Sequence, residues 1–162
     1  CPVERMSVVY ALGRNPCPTA VEKLVSLLET DDNAYVRRAT AWSLANYDNQ
    51  IVLKPLINAL KNDVAAVRLW SSSSLAEIGN VSLENAQLAA EQLLISLKID
   101  NEPGVRSNCI WSLCRLYEKL NNTLQESFVD ECTKIALFDK EPSVMEEAKT
   151  ALDSMGMQGF YN

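Results

Sequence analysis

The chain has 162 residues, 48% of them apolar and 22% charged, with a net charge of -6, five cysteines and no histidine. That length buries a core in one domain, and the acidic balance excludes general binding to nucleic acid or to anionic membrane surfaces, which need a basic footprint. The missing histidine excludes HExxH metal sites, Ser/His/Asp and Cys/His catalytic pairs and an imidazole proton shuttle, so enzymatic chemistry would fall to carboxylates, lysines or thiols.

Apolar residues recur three and four apart along the whole chain, which is the period of helices and not of strands. A leading helical segment carries Glu4-Arg5 and runs to Leu12. Helical runs then follow at Ala20 to Leu28, Val36 to Leu44, Val52 to Leu60, Val67 to Leu75, Ala86 to Leu97, Val105 to Leu113, Leu124 to Leu137 and Val144 to Leu152. Pro18-Thr19, Asp48-Asn49, Ser82 and Asn122-Thr123 suit helix starts, Thr123 with Glu126 forms a capping-box pattern, and Pro103 and Pro142 suit a first helical turn. Asp/Asn pairs and the glycines at 79 and 156 mark helix ends.

Alternate runs repeat one another. Val36-Arg37, Val67-Arg68 and Val105-Arg106 each open nine residues ending in Leu, with a small or apolar residue at the fifth place. Glu4-Arg5 to Leu12 is a partial copy and Val144-Met145 to Leu152 a degenerate one. The Arg slots lie at 5, 37, 68 and 106, with Met145 in the last. Each unit is therefore a helix, a turn carrying Asp, and a second helix opening with Val-Arg. One helix pair of this size cannot bury its apolar faces alone, so neighbours must stack. The expectation is an all-α, right-handed solenoid of about four helix pairs plus the leading helix, forming one domain over residues 1–162.

No apolar run approaches a membrane span and no signal segment opens the chain, so a soluble protein is expected, mature or excised because it begins at Cys1. Cys1, Cys17, Cys109, Cys114 and Cys132 include no CxxC pair, and the five-position step from Cys109 to Cys114 puts them about 140° apart on a helix. They read as small apolar filler in a reducing compartment, with thiolate ligation or a thiol adduct as the alternative. No metal site and no catalytic residue are assigned. Acidic residues concentrate between 123 and 156, where the terminal unit places Glu146 and Glu147 outward as a solvated cap.

The pattern Asp-x3-Val-Arg-x2-small-x2-small-Leu, at Asp32 to Leu44 and Asp63 to Leu75, resembles HEAT-like repeats, particularly those of the phycobilin lyases of the E/F class. Ala41-Trp42-Ser43-Leu44-Ala45-Asn46-Tyr47 and Val67-Arg68-Leu69-Trp70 also resemble a photosynthetic-lineage relative that partners an A-type iron-sulfur carrier. A cytoplasmic or plastid-stromal location follows from the resemblance. The hydroxylase branch of such repeats binds two irons through His-Glu pairs, and that activity is not carried over to a chain without histidine. In similar repeats the turn Asp and helix Arg form ladders between units, which implies that role for Asp32, Asp63 and Asp100 with Arg37, Arg68 and Arg106.

Counted from the repeat Val as zero, places 0, 4, 7, 8 and 11 of the second helix form its core stripe, leaving places 2, 3, 6 and 10 outward. In this solenoid type the second helices line the concave surface. Place 6 holds Tyr10, Trp42, Ser73 and Trp111; place 3 adds Trp70; place 10 adds Asn46, Glu77 and Arg115; place 2 adds Arg38. All three tryptophans are thus expected in the groove, with Arg38 beside Trp42 for a cation-π contact; the alternative is that each Trp packs over a neighbouring helix. Of the serines at 71 to 74, Ser71 and Ser74 suit a small-residue bed for close helix packing and Ser73 the groove. The tail from Met157 to Asn162 either folds back over an apolar edge or marks where a longer chain was cut.

These residues point to a protein-binding scaffold whose client sits in the groove, an iron-sulfur assembly protein if the carrier resemblance applies. The alternative is one subunit of a bilin lyase, holding a phycobilin transiently and working with a second HEAT-repeat subunit. No other cofactor is expected.

Overall fold

The computed structural model describes residues 1–161, with side chains through Gly159. Nine α-helices follow in chain order among the described residues: α1 (Pro2–Arg14), α2 (Val21–Thr30), α3 (Ala34–Leu44), α4 (Leu53–Asn62), α5 (Ala65–Gly79), α6 (Leu83–Ile99), α7 (Pro103–Leu116), α8 (Asn122–Phe138) and α9 (Pro142–Ser154). None of them is long and apolar enough to cross a membrane. Helices α2/α3, α4/α5, α6/α7 and α8/α9 are the pairs, and α1 leads them. The second helices, with α1 at their head, pack on one another in a continuous row, whereas α2, α4, α6 and α8 meet more sparingly. Closer spacing in one layer than in the other curves the stack, and the row α1, α3, α5, α7, α9 becomes its inner surface.

The helix ends follow from their sequences. Asn33, Ser82 and Asn121 accept hydrogen bonds from backbone amides of the turn they open, and Pro103 and Pro142 sit in first turns where a missing N–H costs nothing. The Thr123–Glu126 capping box does not form. Asn121 Oδ1 accepts from the Leu124 amide at 2.9 Å, so α8 starts at Asn122 and Thr123 is already helical. Gly156 takes a φ of 75° just past α9, a left-handed value that favours glycine.

The repeat valines and leucines are the core, with Val36, Val67, Val105 and Val144 at most 1% exposed and Leu44, Leu75, Leu113 and Leu152 fully buried. Each is worth on the order of 1.5–3 kcal/mol in burial. The buried stripe is wider than one helix face, because Ala41, Ser72 and Ile110 at place 5 are buried too. An inner helix has a helix on each flank as well as its own partner beneath, so only a narrow strip is left for the groove.

Small polar residues let the inner helices approach closely. Ser74 Oγ donates to the Ala41 carbonyl across α3 and α5 at 2.7 Å, and Ser112 Oγ to the Ser72 carbonyl across α5 and α7 at 2.6 Å. Ser71 is buried as well. Three of the four consecutive serines therefore belong to helix packing.

The turn between the helices of each pair repeats one polar motif. Arg37 donates to the Asp63 carboxylate at 2.9–3.3 Å, Arg68 to Asp100 at 2.8 and 3.0 Å, and Arg106 to Asp139 at 2.9 Å. The same three arginines reach back through Nη1 to the carbonyl of their own turn, Asp31, Asp63 and Asp100, at 2.8–2.9 Å. Each turn carboxylate also accepts a backbone amide of its own loop, from Asn33, Val64, Glu102 and Glu141. Every Arg thus clamps two successive units through a forked, charge-assisted set.

The first rung corrects the sequence expectation. Asp31, not Asp32, takes it: Arg5 donates to both Asp31 oxygens at 2.8 and 3.0 Å, the Asp31 side chain is 4% exposed, and Asp32 is 95% exposed with one contact of 3.3 Å. Asp31, Asp63, Asp100 and Asp139 each follow directly on the first helix of their pair. Three of these turns place four residues before the Val and only the turn at Asp63 places three, so a fixed spacing selects the wrong neighbour at 31 and misses Asp139.

Arg68→Ala, which strands the Asp100 carboxylate, is expected to lower stability by about 3 kcal/mol in urea unfolding, whereas Asp32→Ala changes it by less than about 0.5 kcal/mol. Equal losses would show that Asp32 carries a rung of the ladder. The hydrogen bonds from Arg5, aided by the Asn33 amide and opposed by burial, hold the Asp31 carboxyl below the usual carboxylate range. Its pKa is depressed on folding, so its contribution is complete above an unfolded value of about 3.9 and is lost as pH falls through the folded one. Asp31→Asn is therefore expected to be less stable at neutral pH, with a shallower fall in stability below about pH 4.

Candidate functional site

The inner row displays the predicted groove residues along its strip, but it treats the three tryptophans differently. Trp42 is half-buried, with its ring 5.5 Å from that of Tyr10 at 56°. Its indole lies over Gly13: a Cβ there would collide with Trp42 Cζ3 and stand 3.0 Å from Ser43 Oγ. Trp42 and Tyr10 therefore fasten α1 to α3 and are packing residues. Arg38 lies over the Tyr35 ring, 5.3 Å from its centroid, and not over Trp42; its buried Nε has no hydrogen-bond partner among the described residues.

Trp70 and Trp111 project into the groove, 37% and 43% exposed. Trp111 is held in a polar frame across α5 and α7. One turn toward its C-terminus Arg115 stands 4.9 Å over the indole and pairs with Glu77. One turn toward its N-terminus Asn108 Nδ2 donates to the Leu69 carbonyl at 3.0 Å and to Ser73 Oγ at 2.8 Å. Ser73, Glu77, Trp111 and Arg115 are thus brought together, while Tyr10 and Trp42 lie at the other end with Arg38. Asn46 is exposed on the turn past α3.

A cavity of about 330 Å³ opens beside this frame, lined by Ser73, Ser107, Asn108, Trp111 and Glu147. Three of its residues, Ser107, Asn108 and Glu147, escaped the sequence reading. Asn108 occupies place 3, the row of Ala39, Trp70 and Glu147, from which the Trp alone stands out by composition. Glu147 is half-buried on α9 and faces the groove, so only its neighbour Glu146, which pairs with Lys149 at 3.2 Å, belongs to the solvated cap.

The cysteines offer no comparable chemistry. Cys109 and Cys132 are buried and their thiols pushed up by burial, and burial raises Cys114 to about 11, so all three are protonated near neutral pH. Exposed Cys17 is lowered by the Thr19 hydroxyl 3.1 Å from its sulfur. Among the described residues no group of three His, Cys, Asp or Glu side chains is placed to hold a metal ion.

The family model for HEAT repeats matches residues 1–76 and 21–114, spanning the first three helix pairs and their clamped turns. The chain belongs to the HEAT-repeat family. No curated protein sequence matches it at a significant level. Among solved structures, this HEAT-repeat chain is similar to a designed armadillo repeat protein in complex with peptide (KR)4, with a TM-score of 0.61 and 18% identity over 96% of this chain and 81% of that one. It is also similar to a chain of the CpcE–CpcF complex of phycocyanin lyase from Nostoc, with a TM-score of 0.62 and 23% identity over 92% and 98%. At these identities the likeness is one of fold, a repeat solenoid shared by proteins of different activity.

Packing of Trp42 on Gly13 has a direct test. Gly13→Ala is expected to cost about 1–3 kcal/mol by overpacking. In a Trp42→Ala background, where the ring is gone, the same change is expected to be neutral or favourable, because alanine suits a helix better by up to about 1 kcal/mol. A urea double-mutant cycle without that coupling would separate the two residues.

Proposed function

We propose that this HEAT-repeat chain is a non-enzymatic scaffold that holds a protein client in its concave groove. The observation carrying the reading is the pair of exposed tryptophans, Trp70 and Trp111, displayed on the inner row with Asn108, Glu77 and Arg115 fixed around the second. Indoles on a rigid surface give large contact area at low entropic cost, and cross-helix hydrogen bonds settle that surface before a client arrives. The fold likeness to a repeat protein bound to a peptide supports an extended segment as the client. An iron-sulfur assembly protein is the client that the resemblance to the carrier partner names; this chain's role toward it would be to hold the protein and not the cluster.

A second reading, one subunit of a bilin lyase, is favoured by a single observation, the fold match over almost the full length of a chain from a lyase complex. Burial of Cys109 and protonation of Cys114 weigh against a transient bilin thioether on the groove helices.

Trp70→Ala/Trp111→Ala is expected to keep a native helical spectrum and to lose most of the client captured from native cell extract, since each such anchor is worth about 2 kcal/mol or more. Undiminished capture would sink the groove reading. A phycobiliprotein subunit that becomes covalently coloured only when co-expressed with this chain and a bilin source would replace it with the lyase reading.

A further inference from the structure

The cavity beside Trp111 has a chemical character that the scaffold reading leaves unused. Its one charged group is a carboxylate, and its amide presents an acceptor. Asn108 is oriented by the Leu69 carbonyl and Ser73 Oγ, which both engage its Nδ2, so Oδ1 is the amide atom left over. Glu147 brings a half-buried carboxylate that forms no ion pair among the described residues, in contrast to Glu146 and Glu77. Trp111 adds an aromatic ring. Arg115 approaches that ring from the opposite turn and does not line the cavity, and neither does any other Lys or Arg.

An aromatic ring, a carboxylate and an amide oxygen around about 330 Å³, with no cation inside, match a guanidinium or ammonium group and repel an anion. The volume accommodates one long side chain. We propose that the pocket between Trp111 and Glu147 takes the Arg or Lys side chain of an extended client segment lying in the groove. This rests on the groove being the client site, and it adds the charge of the residue that the client presents there.

The test uses the whole chain and three labelled octapeptides: alternating Arg-Ser, Gln-Ser and Glu-Ser. The Arg-Ser peptide is expected to bind at least tenfold more tightly than the Gln-Ser peptide, and the Glu-Ser peptide more weakly than both. Glu147→Gln, which keeps the shape, is expected to reduce Arg-Ser affinity about tenfold, the scale of one charge-assisted hydrogen bond, whereas Glu146→Gln leaves it unchanged. Glu147→Lys is expected to invert the preference toward Glu-Ser, a gain that misfolding would not produce. Equal affinity for Arg-Ser and Gln-Ser, or Arg-Ser binding indifferent to Glu147→Gln, overturns the assignment. In either of those outcomes, client capture still lost in Trp70→Ala/Trp111→Ala leaves the groove reading standing, whereas capture that survives that pair overturns both.

Discussion

The fork of each ladder arginine sets the geometry on which the rest of the molecule depends. Arg37 and Arg68 each spend one arm on the carbonyl of their own turn and the others on the carboxylate of the next, and Arg106 spans the same two groups through Nη1 and Nη2, so the separation and rotation of adjacent units are fixed by one rigid planar group. The carboxylate is held on its other side by its own loop amide, which leaves little unsatisfied charge to offset the gain from pairing. Arg5 grips the Asp31 carboxylate and is 35% exposed, and Met145 stands in the Arg slot of the pair α8/α9.

Fixing the units so closely constrains what the inner helices can carry. Their flanks hold small residues, and Ser74, Ser112 and Thr40 give their hydroxyls to carbonyls of a neighbouring helix or their own. The three tryptophans of this row sit over a glycine or outside it. Trp42 takes the first solution over Gly13, while Trp70 and Trp111 take the second and face the groove.

This division explains what the sequence disclosed and what it hid. The helix pairs, the repeat period and the buried Val and Leu follow from a periodic pattern that each unit restates, so any copy corrects the others. The rung at Asp31 was obscured because two aspartates stand side by side and one turn is a residue shorter than the rest. Trp42 and Trp111 were equivalent by register alone; what separates them is a glycine 29 residues before Trp42 in another helix, a contact no periodicity carries. Asn108 and Glu147 were hidden for the opposite reason: common surface residues acquire a role only when α5, α7 and α9 stack.

Charge shows the same dependence on stacking. The net of -6 comes mostly from the last third of the chain, and as composition it argues only for solubility. Once the helices are placed, Glu146 is neutralised locally by Lys149, Glu77 by Arg115 and the turn aspartates by the ladder, which leaves Glu147 as a carboxylate in the groove without a partner of its own among the described residues. Arg38, its Nε unengaged, stands toward the other end of the same row. The row therefore carries a carboxylate without an ion-pair partner toward one end and an arginine toward the other, so a charged extended segment meets different neighbours in its two directions.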